Sequence, residues 1–183
     1  MAAVTRAELL EVVYQFHPRA LSVGGLGYED TEERQRQRDA VWRAVAGART
    51  WKAMLGRLRA RYGPLMDQSG HLLSGRYDPA YSADIFLPGH ALGFCVCVLG
   101  PYYGIRRTSA AIEEPAALDL AREIEATYPG FRAIPPELGC EVVPDVALDP
   151  GDFGRATIYD CLLSEVWEAM SGPWPPSDQP GEP

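Results

Sequence analysis

Apolar and polar positions recur along this chain with two periods, and the switches between them predict its elements. The longest unbroken apolar run is Phe94 to Leu99, bounded by Gly93 and Gly100. Its length and its β-branched and aromatic content predict a strand buried on both faces. Tyr81–Leu87 before it and Tyr102–Thr108 after it are also strand-like, the second turning polar at Arg106 and Arg107. Antiparallel pairing of sequence neighbours is the simplest topology. Gly100-Pro101 would supply a type II′ turn, or one strand continues with a bulge at the proline.

Helical spacing surrounds this β region. Thr5 and Glu8 form a capping box ahead of Leu9, Leu10, Val12, Val13 and Phe16, predicting a helix over Arg6–Phe16 that ends before Pro18. Val12-Val13-Tyr14 keeps a strand reading open there. Asp30 and Glu33 predict a second capped helix, Thr31–Ala46, with a solvated first half and an apolar face of Val41, Trp42 and Val45. Thr50 predicts another cap, before the stripe Trp51, Met54, Leu55, Leu58 and Tyr62 that Gly63-Pro64 ends. The Lys52, Arg57, Arg59 and Arg61 side of that helix reads as a solvated face.

Pro64 to His90 reads as loops and short strands. Pro115 opens a helix over 116–128 on Ala117, Leu120, Ala121, Ile124 and Tyr128, with Glu123 and Glu125 pointing outward. Phe131–Gly154 is proline-punctuated loop around one β-like fragment, Cys140–Val143. Thr157–Met170 carries Ile158, Cys161, Leu162, Val166 and Ala169 at helical spacing. The expected fold is a single α+β domain over 1–170. Its mainly antiparallel sheet is centred on residues 94–99 and packed by amphipathic helices at 31–46, 51–62, 116–128 and 157–170. A Pro/Gly-rich tail follows at 171–183.

Composition narrows the function classes. At 183 residues the chain can bury one substantial core. A formal net charge of −8 argues against nucleic acid as a partner, because phosphate binding needs surplus Lys and Arg, and it suits a basic protein surface. No apolar stretch approaches the ~20 residues that span a bilayer. The N-terminus lacks the basic start and apolar segment of a secretory signal, so no membrane association and a cytoplasmic location are expected. Only one of the 17 basic residues, Lys52, is a lysine, and asparagine is absent, as in proteins of G+C-rich bacterial genomes.

The candidate chemistry is sparse. Cys95 and Cys97 lie two apart on one strand face, and with Cys140 and Cys161 they are read as reduced packing thiols. His17, His71 and His90 have no acidic or thiol partner at a recognised spacing. His71, Asp78, Asp84 and His90 share one stretch without a metal-ligand arrangement. The Ser22–Gly27 stretch is glycine-rich but lacks the Gly-Lys-Ser/Thr ending of a phosphate loop. Neither a metal nor a cofactor nor a catalytic residue is assigned. What remains is an acidic loop region, Glu137, Glu141, Asp145, Asp149 and Asp152, as a contact patch for a basic partner, with Tyr102 and Tyr103 as aromatic anchors. Tyr81 and Trp174 are further aromatic candidates.

Four blocks carry a resemblance: Tyr-Ser-Ala-Asp-Ile-Phe-Leu-Pro-Gly-His (81–90), Gly-Pro-Tyr-Tyr-Gly-Ile-Arg-Arg-Thr (100–108), Tyr-Pro-Gly-Phe with Ile-Pro-Pro-Glu-Leu-Gly (128–139), and Ala-Thr-Ile-Tyr-Asp-Cys-Leu-Leu-Ser-Glu-Val-Trp (156–167). Together they resemble bacterial immunity proteins encoded beside polymorphic toxins. The resemblance implies a non-enzymatic inhibitor that docks on a cognate toxin, such as a nuclease with basic surroundings, and masks its active site. The rival readings are a small cysteine- or histidine-dependent hydrolase, which needs a pocket joining His71 or His90 to Asp84 or a cysteine, and a regulatory protein-binding module.

Overall fold

The computed structural model describes residues 3–73, 79–88, 90–107, 114–151 and 153–163. Helix α1 spans Arg6–Phe16 behind the predicted capping box: the Thr5 hydroxyl accepts from the Glu8 amide, and the Glu8 carboxylate accepts from the Thr5 amide. The helical reading of Val12–Tyr14 therefore holds over the strand one.

The two helices expected at 31–46 and 51–62 are one. Helix α2 runs unbroken over Glu32–Tyr62, with Thr31 rather than Asp30 as its N-cap and Thr50 an exposed residue in the middle of the helix. Gly47 costs only about 1 kcal/mol against alanine in a helix. The apolar stripe continues across it from Ala40 and Val41 to Trp51, Met54, Leu55 and Leu58, so packing outweighs the local breaker. Its first half is not simply solvated, because Arg34 and Gln37 are buried. Gly63, at φ +88°, ends the helix with its amide on the Arg59 carbonyl.

Three strands follow as an antiparallel meander: β2 (Ala80–Leu87), β3 (His90–Cys97) and β4 (Tyr102–Arg107), preceded by β1 (Leu65–Asp67) and a single helical turn, α3 (Gly70–Leu73). The sheet order is β1-β2-β3-β4-β5, with the two-residue β5 (Arg132–Ala133) pairing parallel to β4. Strand β3 begins at His90, earlier than the apolar run suggested, and Gly100 does not adopt the positive φ that a type II′ turn requires. Helix α4 covers Glu114–Thr127, α5 is the short Pro136–Gly139, and α6 begins at Ile158 behind a second capping box made by Thr157 and Asp160. Helix α6 spans Ile158–Leu162 with Leu163 as its C-cap, and residues 164–183, which hold the rest of the expected 157–170 helix and the 171–183 tail, lie outside the described residues. Cys140–Val143 is not a strand; Val142 makes one bridge to Thr157.

The register sorts the sheet into two faces. Tyr81, Ala83 and Ile85 of β2, Leu92, Phe94 and Val96 of β3, and Tyr103 of β4 pack under α2 and α4. Trp51 stacks on Tyr81 at 5.1 Å between ring centroids and lies tilted against Phe94 at 5.5 Å. The opposite face presents Ala80, Cys95, Cys97 and Tyr102. It is covered by Leu9, Val13 and Phe16 of α1 together with Ile134, Val143, Val146, Ile158 and Leu162. Burial on both faces, as the Phe94–Leu99 run predicted, is what the central strand shows.

Candidate functional site

The acidic residues sort into two groups. Glu141 and Asp145 are turned inward along the molecule: Arg6 donates to Glu141 at 2.5 Å and Arg19 to Asp145 at 2.5 Å, tying the 131–154 segment to α1 and the residues after it. Arg132 adds a third tie, to Glu8 at 3.2 Å. Sequence reasoning missed these pairs because their partners lie more than a hundred positions away. Glu137 and Asp149, in contrast, are exposed and in no ion pair among the described residues. Asp152 lies outside the described residues.

Tyr102 and Tyr103 are packed inside the fold rather than displayed on it. Both are nearly inaccessible, and Tyr103 Oη donates to Glu125 Oε1 at 2.7 Å. Tyr81 is likewise buried, its hydroxyl donating to the Ala44 carbonyl, and Trp174 lies outside the described residues. Glu123 and Glu125 do not simply face outward. Glu123 receives Arg57 at 2.7 Å, while Arg61 reaches Asp119 at 2.6 Å, so α4 neutralises part of the basic side of α2.

The groups with reactive chemistry are built into the packing. Cys95, Cys97 and Cys161 are buried, no disulfide joins the four cysteines, and burial pushes the Cys97 thiol up to about 12. His17 is buried beside α6, with Nε2 2.9 Å from the Cys161 carbonyl oxygen and Nδ1 without a hydrogen-bond partner among the described residues. Burial, with the nearby Arg34 charge, lowers it to about 4, against the opposing bond to Cys161. It is therefore neutral near pH 7 and donates through Nε2.

On the α1 face of the sheet, Asp84 of β2 and Arg106 of β4 meet across Gly93 of β3 at 3.5 Å. Gln68 also donates to Asp84. A Cβ at residue 93 would lie 2.8 Å from Asp84 Oδ1 and 3.0 Å from Arg106 Nη2, so glycine makes the pair possible. Burial raises the Asp84 carboxyl, against the pull of Arg106. His90 is only half-buried, and the side chain of His71 is outside the described set.

A shallow groove of about 470 Å³ runs between α2 and the far end of the sheet. Its walls are Ala40, Ala44 and Gly47 on one side and Tyr128 and Phe131 on the other, with Arg43 at the rim. It holds Cys97 but no histidine and no carboxylate. Among the described residues no three His, Cys, Asp or Glu side chains gather as a metal site, and no helix is long and apolar enough to cross a membrane.

No family model matches this chain, and no curated protein or solved structure shows significant similarity to it.

Proposed function

We propose that this protein is a non-enzymatic immunity protein that binds a cognate bacterial toxin in the cytoplasm and neutralises it by covering its active site. The observation that carries the reading is the placement of its side-chain chemistry. Three thiols and His17 serve as filling between elements, and the Asp84–Arg106 pair is closed within the sheet face. Exposed carboxylates such as Glu137 and Asp149 remain on the outside of a chain with net charge −8. That arrangement favours action by surface complementarity, and an acidic exterior speeds encounter with a basic partner, such as a nuclease, and selects for it.

Two steps test the reading: a search of the neighbouring genes for a toxin domain, then coexpression of that domain with this chain. Cells carrying both should survive, and the purified toxin should lose activity at a one-to-one ratio. Cells that die as fast with the protein as without it would refute the proposal.

A further inference from the structure

Ala20 is the one described non-glycine residue with positive φ, at +57°, a conformation costing roughly 1–2 kcal/mol in an L-residue. It opens a loop that is fastened at several points. The Ala20 amide donates to the Asp145 carbonyl at 2.8 Å, and the Gly151 amide donates to Ser22 Oγ at 2.8 Å. At the other end Tyr28 is buried, with the Arg34 guanidinium 5.1 Å from its ring centroid. Between these anchors Gly24 and Gly27 take left-handed backbone, and the Gly25 amide closes a turn onto the Ser22 carbonyl at 2.9 Å. This fastened loop holds Leu26 wholly in solvent.

Leu26 has apolar company. Leu21, beside Ser22, and Phe153, two residues beyond Gly151, are also exposed, so the bonded pair of loops presents three large apolar side chains to water. Exposed carboxylates accompany them: Asp30 and Asp149 are in no ion pair among the described residues. Strain retained in a surface loop, together with apolar residues on its tip, points to a binding role, because a loop already ordered loses little entropy on association.

We infer that the loop 20–30, together with residues 145–151 and Phe153 beside it, is the toxin-facing surface, with Leu26 inserted into an apolar socket that the partner rims with lysine or arginine. This rests on the neutralisation reading above and specifies where it acts. Leucine supplies the buried centre, while Asp30 and Asp149 supply the charge complementarity that steers approach.

The test uses the full chain and the purified toxin domain identified by the coexpression experiment above. Leu26→Glu should weaken binding about 100-fold or more and abolish protection, and Leu26→Ala should weaken it about 10-fold. Since Leu26 touches no core, both variants should keep the wild-type Tm. Asp30→Lys with Asp149→Lys should slow association about 10-fold and flatten its salt dependence. Ala53→Glu, exposed on α2 and outside these loops, should bind as wild type. If wild type protects and Leu26→Glu binds within about 3-fold of it, the loop assignment is overturned while neutralisation stands. If wild type itself neither binds nor protects, the neutralisation reading falls and takes the loop assignment with it.

Discussion

The same three strands offer very different material to the two sides of the sheet. Toward α2 and α4 they present Tyr81, Ile85, Leu92, Phe94, Val96 and Tyr103, closed by Trp51. Toward α1 they present Ala80, Ser82, Asp84, Gly93, Cys95, Cys97 and Gly104, and the buried ion pair lies there. The first side is covered by helices whose apolar stripes are visible as local periods. The second is covered by chain from residues 6–16 and 134–163, which no local pattern connects. Large apolar residues tolerate any apolar cover of the right volume. Small and charged ones need specific neighbours at specific positions.

Trp51→Ala should produce the largest change. It removes the stack on Tyr81 and the contact with Phe94 from a site with no solvent access, and should cost about 4 kcal/mol in urea unfolding. On the other side, Asp84→Ala should cost about 3 kcal/mol by removing the carboxylate opposite a buried guanidinium. Replacing both partners, Asp84→Leu with Arg106→Met, should recover most of that loss. If the double variant is no better than the single one, the ion pair specifies that face rather than merely filling it.

A pH titration separates the faces further, since His17 packs on the α1 side. Above pH 6.5 it is neutral both folded and unfolded. Below that the unfolded chain takes up a proton that the folded chain refuses until about pH 4, so stability falls as pH drops through this window. The slope from this residue approaches ~1.4 kcal/mol per pH unit. Asp84 and Asp160, both raised by burial, act with the opposite sign, the folded chain holding their protons at higher pH than the unfolded one. Denaturant midpoints between pH 6.5 and 5 should fall in wild type and stay flatter in His17→Gln. Tyr128→Phe, on the aromatic side, should give the smallest effect. Its buried hydroxyl has no partner to lose, and stability should stay within about 0.5 kcal/mol.

What could be read from the chain follows the same division. The β2–β3–β4 meander was legible because its partners are sequence neighbours and its apolar alternation is strong. The break expected between residues 46 and 51 is absent because the Thr50 cap is only a local signal, whereas the stripe from Val41 to Leu58 is held by the sheet beneath it. Of the candidate partner-binding residues, Glu141 and Asp145 proved to be bonded to Arg6 and Arg19, and Tyr102 and Tyr103 proved to be interior. An acidic residue shows its charge in the sequence but not whether a distant arginine already holds it. The fastened loop at Ala20 left no sequence signal beyond its glycines, because alanine gives no hint of left-handed backbone.

The cover of the α1 face also has a temporal side. Leu9, Val13 and Phe16 of α1 are synthesised well before Ile134, Val143, Val146 and Ile158, the residues against which they cluster. Contacts closing loops of that length form slowly. Until those later residues have been made, α1 has its apolar side only partly enclosed, and it is sealed in place by chain far downstream of it.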